Sequence, residues 1–229
     1  MRLTAFALLL LATPAFGQVP GSAGGGLPDA AQPAAAQEQP AQPAPEPQAV
    51  TVAPTNPAMT GPKILIATSM GDITLQLDSV RAPRSVANIL RYVKEKHYDG
   101  TVFYRVAKGF VIQMGSWEAH MKGRGIHPGP VPLEANNGLL NLRGTVALAR
   151  AQEPDSATAE FFINLADNPG LNHAAEDPGN TSGYAVFGQV VSGMDVVDKI
   201  AEGEVGNDGP MPGQAPVDPV LIRKVMQLR

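Results

Sequence analysis

From residue 62 onward, apolar and polar positions fall into short alternating runs punctuated by Gly, Pro and Asp, the pattern of β-strands and turns. Lys63 to Thr68 predicts a strand. Ser69-Met70-Gly71-Asp72 predicts a turn, and Ile73, Leu75 and Leu77 share one face of a return strand. The period then changes. After Ala82-Pro83, Val86, Ile89, Leu90 and Val93 recur at helical spacing, and Pro suits a first turn, so a helix with one core-facing stripe is expected. Asp99-Gly100 closes that unit. Phe103 to Gly115 reads as two strands around a loop at Ala107 to Gly109. That register pairs Arg105 with Val111 and Phe103 with Gln113, and puts all four on one face. Residues 116 to 143 lack periodicity and predict a long ordered loop carrying Trp117. Val146 to Ala149, Phe161 to Asn164 and Val186 to Val190 predict further strands, and Asp177-Pro178-Gly179 a turn. Gly193-Met194-Asp195 opens a second helix with Val196, Val197 and Ile200 to bury, and Pro219 to Leu228 is a final strand. Strand alternation places Phe161 and Ile163 opposite Phe162, so those two read as core. Many antiparallel strands with two helices predict a mainly β protein, a closed barrel whose ends the helices cover.

The first 61 residues carry a different pattern. Arg2 precedes an apolar run from Ala5 to Ala12, too short to span a bilayer, and Ala15-Phe16-Gly17 is a small-x-small cleavage site. Residues 1–17 therefore predict a secretory signal with mature chain from Gln18; an uncleaved anchor is the alternative. No Cys follows the run, which excludes a lipoprotein signal. Residues 18–61 hold nine prolines, no aromatic residue, and three charges, Asp29, Glu38 and Glu46. Such a segment buries too little apolar surface to offset its ordering entropy, so a disordered Pro/Ala/Gln-rich tether is expected. The folded domain is expected over 62–229.

Composition narrows the chemistry. The chain of 229 residues has no cysteine, which removes disulfides and thiolate chemistry. A formal charge of −4 argues against a general nucleic-acid surface. His97, His120, His127 and His173 show no paired ligand spacing, so no metal is expected, and no Ser/His/acid arrangement stands out. What remains is Arg105 and Gln113. A guanidinium and a carboxamide on an otherwise apolar strand face are costly unless something needs them; the bland alternative is a surface Arg on an edge strand.

Further motifs follow the hairpin in order. They are Gly144-Thr145-Val146-Ala147-Leu148-Ala149-Arg150, Asp155-Ser156-Ala157-Thr158-Ala159-Glu160-Phe161-Phe162-Ile163-Asn164, Gly183-Tyr184-Ala185-Val186-Phe187-Gly188, and Gly193-Met194-Asp195-Val196-Val197. With the Arg105 hairpin, this ordered set resembles the cyclophilins, peptidyl-prolyl cis/trans isomerases, across essentially all of residues 62 to 229. Glu134-Ala135-Asn136-Asn137-Gly138-Leu139, with Arg143-Gly144-Thr145 after it, is most similar to the bacterial periplasmic branch.

The resemblance implies an eight-stranded barrel capped by two helices, no cofactor, and proline-containing polypeptides as partners. It implies that Arg105 and Gln113 are catalytic, Arg105 donating to the imide nitrogen of a twisted X-Pro bond. Phe110, Val111, Phe162 and Leu171 would line the proline slot. Main-chain groups near Ala149 and Arg150, with Glu160 and Tyr184, would complete the substrate site. The chain departs from the family at several places. Tyr184 and Tyr104 stand where His is common, Arg150 where many relatives have Asn, and Met114 where Gly is usual, which could alter the strand end. Glu160 stands where Gln is usual, with Arg105 or Arg150 as its expected ion-pair partner. Gly170 replaces the Trp of cyclosporin-binding relatives, so weak cyclosporin binding is expected. The signal and the bacterial-type motifs together imply a periplasmic protein that assists folding of exported proteins and is not inserted in the membrane after cleavage; secretion to the medium would leave the same sequence. No oligomerisation signal stands out, so a monomer is expected. The competing readings are a cyclophilin-fold chaperone or binding module with incidental isomerase activity, and an unrelated small barrel that binds an apolar ligand.

Overall fold

A computed structural model describes residues 53–125, 129–174 and 182–229. The signal, residues 18–52 of the tether, His127 and the Asp177-Pro178-Gly179 turn lie outside the described residues. The strands are β1 (Lys63–Thr68), β2 (Gly71–Leu77), β3 (Thr101–Ala107), β4 (Val111–Glu118), β5 (Thr145–Leu148), β6 (Phe161–Asn164), β7 (Val186–Ser192), β8 (Val205–Gly206), β9 (Ala215–Pro216) and β10 (Val220–Gln227). The helices are α1 (Pro83–Lys94) and α2 (Met194–Glu202). Eight strands close into one barrel in the order β1-β10-β3-β4-β6-β5-β7-β2, and every neighbouring pair is antiparallel. Closure leaves the barrel itself without an edge strand. The expected architecture is therefore the observed one.

The barrel interior and the inner faces of both helices form one apolar cluster. Ile66, Ile73, Phe103, Ile112, Phe161 and Phe187 are fully buried in it. Val86, Ile89 and Val93 of α1 and Val196, Val197 and Ile200 of α2 join it, and Leu90 packs at its margin. The N-terminus of α1 has no cap from its own turn. Glu134, far along the chain, supplies one: its carboxylate accepts from Arg84 N–H at 3.0 Å, Ser85 N–H at 2.8 Å and Ser85 Oγ at 2.7 Å. A carboxylate there satisfies orphan donors and complements the helix dipole. Gly193 opens α2 at φ 86°, and a Cβ on it would collide with the Asp72 carbonyl, so α2 presses directly on the start of β2.

Three sequence expectations change, and one stretch left without an expectation gains structure. The β3–β4 loop is Lys108 to Phe110, not Ala107 to Gly109, so Arg105 pairs with Gln113 and Ala107 with Val111. Phe103 pairs with Met114 and faces the barrel interior, because a register shift between Phe103 and Arg105 leaves Tyr104 as an extra residue and breaks the alternation. Trp117 belongs to β4, not to a loop, and Met114 is buried mid-strand. Residues 203 to 219 contain the small β8–β9 pair.

The folded body also begins before Pro62. The Asn56 side chain accepts from Leu140 N–H at 2.7 Å and donates to Leu140 O at 2.9 Å. Met59 is buried in a second apolar cluster with Val111, Leu139, Ala147, Phe162 and Val186. The last residues assigned by composition to the tether are thus packed: the Asn56 hydrogen bonds, others to Thr60 O and Gly61 O, and one buried side chain offset their ordering cost locally.

Candidate active site

The second apolar cluster lies beneath a cleft of about 280 Å3. Its walls are Tyr104, Arg105, Phe110, Val111, Gln113, Ala149, Arg150, Phe162, Leu171, Tyr184 and Met211. All the site residues expected from sequence converge here except Glu160. Met211 was not expected, and neither was Gln214.

β3 and β4 place the polar wall. Arg105 Nη1 donates to Gln113 Oε1 at 3.0 Å, and Arg105 Nε donates to Gln214 Oε1 at 2.7 Å. Two carboxamide oxygens hold the guanidinium at two different edges, at Nε and at Nη1, and leave its remaining N–H groups to the cleft. Gln214 reaches this position because Val106 N–H donates to Gln214 O at 2.7 Å, docking the loop before β9 onto β3. Gln113 in turn donates through Nε2 to the Tyr104 hydroxyl.

The apolar wall comes from β4, β6 and two turns. Phe162 packs edge-on to Tyr184, with ring centroids 5.5 Å apart. Leu171 sits in a turn held by buried amides. Asn141 Nδ2 donates to Leu171 O at 3.0 Å, and Asn164 Nδ2 donates to Thr145 Oγ1 at 2.9 Å. Asn168 Nδ2 bridges from the same turn to Asn164 Oδ1 at 2.7 Å and to Phe110 O at 3.0 Å. Phe110 itself is more than a third exposed at the loop tip. Arg150 lies over the Tyr184 ring at 4.9 Å and donates through Nε to Gly183 O at 2.9 Å, so its guanidinium holds the cleft rim together.

Glu160 departs from expectation. It does not line the cleft; its carboxylate sits behind it, in space that a Cβ on Gly115 would fill. Oε1 accepts from Ser116 N–H at 2.7 Å, while Oε2 is buried and has no hydrogen-bond partner. Neither Arg105 nor Arg150 is its partner at that carboxylate, because the β4 backbone at Gly115 and Ser116 takes it up first. Burial is the largest effect on the carboxyl and pushes it up to about 7, against the Ser116 hydrogen bond and the neighbouring Tyr104 hydroxyl. The Tyr104 hydroxyl is raised by burial first and by the Glu160 charge second, with Arg105 opposing. The folded carboxyl thus keeps a proton that the unfolded chain has released. Glu160 therefore costs stability as pH rises from the ordinary 4.5 to about 7, and the cost persists above that.

Among the described residues no group of three His, Asp or Glu side chains could hold a metal ion, and no helix is long and apolar enough to cross a membrane. A guanidinium and a carboxamide facing an aromatic slot suit a neutral, partly apolar polypeptide segment.

The family model for cyclophilin-type peptidyl-prolyl cis-trans isomerases matches residues 63–227. The chain belongs to the cyclophilin family. It is 47% identical over 170 residues to peptidyl-prolyl cis-trans isomerase A of Dickeya dadantii, covering 74% of this chain and 86% of that protein. It is also 47% identical over 158 residues to isomerase B of Escherichia coli, covering 69% of this chain and 94% of the relative. A Cryptosporidium parvum cyclophilin, crystallised in the presence of the dipeptide Ala-Pro, superposes with a TM-score of 0.62 at 23% identity, covering 73% of this chain and 99% of that one. This cyclophilin is accordingly an enzyme, a peptidyl-prolyl cis/trans isomerase.

Proposed function

We propose that this cyclophilin accelerates X-Pro isomerisation in exported polypeptides as a periplasmic monomer, with Arg105 as the group that stabilises the twisted imide. An X-Pro bond prefers trans only slightly, yet interconverts over tens to hundreds of seconds. The barrier of about 18–20 kcal/mol reflects lost amide resonance and needs no covalent step to lower it. In the twisted state the imide nitrogen pyramidalises and gains a lone pair. A donor fixed beside that nitrogen binds the twisted state better than either planar state, which is the condition for acceleration. Lowering the barrier by about 5 kcal/mol gives roughly several-thousand-fold acceleration.

The observation that carries this reading is the guanidinium held by Gln113 and Gln214 on the cleft wall, with Phe162, Val111 and Leu171 sharing the same cleft. The proline ring occupies the apolar side, and Gln113 and main-chain groups near Ala149 and Arg150 hold the substrate backbone. Arg cannot lose its proton at ordinary pH, so the donor persists. Gly170 adds no indole at the cleft margin, and cyclosporin accordingly binds weakly.

The export assignment rests on Arg2, the apolar run from Ala5 to Ala12 and the Ala15-Phe16-Gly17 cleavage site. The test has two parts. The chain expressed in its native cells should be recovered from the periplasmic fraction with Gln18 as its N-terminus, and the 18–229 form should speed both a short X-Pro reporter and refolding of a proline-limited protein. Recovery from the cytosol with Met1 intact would overturn the export assignment. Nanomolar cyclosporin inhibition of the reporter reaction would refute the role given to Gly170.

A further inference from the structure

Behind the cleft wall a hydrogen-bonded chain runs from Arg105 to Tyr104 and ends beside Glu160. Arg105 Nη1 donates to Gln113 Oε1 at 3.0 Å, Gln113 Nε2 donates to the Tyr104 hydroxyl, and that hydroxyl lies against the Glu160 carboxylate. Each donor direction is fixed by the one before it. Arg105 is donor-only, so Gln113 must turn its oxygen toward it and its NH2 toward Tyr104. The Tyr104 oxygen is then an acceptor, and its own proton has to go onward. The neighbouring acceptor is the Glu160 carboxylate, whose Oε2 is buried and has no other hydrogen-bond partner to claim it. The structure makes room for this group: a Cβ at Gly115 would collide with it.

We propose that Glu160 is a positioning residue for the isomerase reaction: its ionised carboxylate anchors the Tyr104–Gln113–Arg105 chain, and its protonation releases that anchor and loosens the guanidinium in the cleft. This rests on the reading of Arg105 given above. When ionised, Glu160 accepts the Tyr104 proton, and the chain polarises toward it from Arg105. When protonated, the carboxyl competes with Gln113 as a second donor to the Tyr104 oxygen, and the Tyr104 proton has no anion to meet. The donors behind the cleft are then no longer held in one order.

The neighbours that bear on the carboxyl come from several elements. Tyr104 faces it from β3 and Ser116 from β4; Tyr98, buried after α1, interacts with its charge and donates to Ala159 O at 3.0 Å. His97 stands one step away, with Nε2 2.9 Å from Ser116 Oγ, and it is lowered by burial first and then by Arg124. No Lys or Arg is among the groups that shift Glu160, which suits a carboxyl that titrates near neutrality, at about 7.

The test follows the chain itself. In the 18–229 form, the Arg105 Nε–H and Gln113 side-chain amide resonances should move together between about pH 5.5 and about pH 8.5, with the midpoint of Glu160. Over the same range X-Pro turnover should rise about fivefold, the effect of one hydrogen bond of ordinary net worth. In Glu160→Gln both responses should vanish, since Gln accepts from Ser116 and donates to Tyr104 at every pH. That variant should also be more stable than wild type at alkaline pH, because it removes a buried charge. If Glu160→Gln does not fold, Tyr104→Phe replaces it: Glu160 then still titrates while the Arg105 resonance stays still. Persistence of the Arg105 response in either variant would assign it to His97 and overturn the proposal. So would a Glu160 midpoint in the ordinary carboxylate range. If the resonances respond as expected but wild type shows no turnover, the anchor stands and the catalytic role of Arg105 falls.

Discussion

Replacing Arg105 with Ala should lower kcat/KM for a short X-Pro reporter by roughly a hundred- to a thousandfold, the usual cost of removing one donor aimed at a transition state. The fold should survive, because Arg105 is only half-buried and water entering the space it leaves in the cleft can reach the freed Gln113 and Gln214 oxygens. Arg105→Lys should not restore the rate. An ammonium cannot satisfy both carboxamides and still present an N–H in the guanidinium plane. Gln214→Ala should cost about tenfold, mostly in kcat, since it frees one edge of the guanidinium while leaving the apolar slot intact. Reporter kinetics with melting curves on the same preparations separate these outcomes. Wild-type turnover in Arg105→Ala would show that the twisted imide is stabilised elsewhere.

Phe161→Ala and Phe162→Ala, neighbours on β6, should fail in different ways. Phe161 is fully buried in the barrel, edge-on to Tyr98 at 5.6 Å and to Phe187 at 5.9 Å. Truncating it leaves a closed void and should cost about 3–5 kcal/mol. For a chain of this size that lowers Tm by roughly 10 °C or more. Phe162 points to the cleft, where Tyr184 and Leu171 complete the slot. Its loss enlarges a space already open to water, so the stability change should be smaller. KM for the reporter should rise and kcat/KM fall by about tenfold to a hundredfold, because the proline ring loses its main apolar wall. Equal melting temperatures for the two variants would contradict the assignment of faces on β6.

That assignment was legible in the chain. Phe161 and Ile163 inside, Phe162 outside, follows from alternation alone, and the pairing of Phe162 with Gln113 agrees with it. The helical stripe of Val86, Ile89 and Val93 was equally plain, since period and burial coincide there. The β3–β4 hairpin was harder. Three-residue loops at Ala107 to Gly109 or at Lys108 to Phe110 both satisfy the local pattern, and the extra residue at Tyr104 leaves no mark in composition. Alternation therefore put Phe103 on the wrong face. Residues 53–61 were misread for a related reason: their composition is that of the tether, and what orders them is Leu140 and the cluster around Phe162.

By itself, the sequence determined the barrel strands, both helices, the closed barrel, the family, and most of the residues that meet in the cleft, though not Met211 and wrongly including Glu160, because periodicity and ordered motifs are local properties of the chain. Only the tertiary structure decided what holds those residues in place. Gln214 lies 109 residues beyond Arg105, and Glu134 caps a helix 49 residues before it. The position of Glu160 depends on a missing Cβ in a neighbouring strand, at Gly115. Such contacts are set by strand register and barrel closure, which bring together residues with no shared period, and no spacing along the chain encodes them.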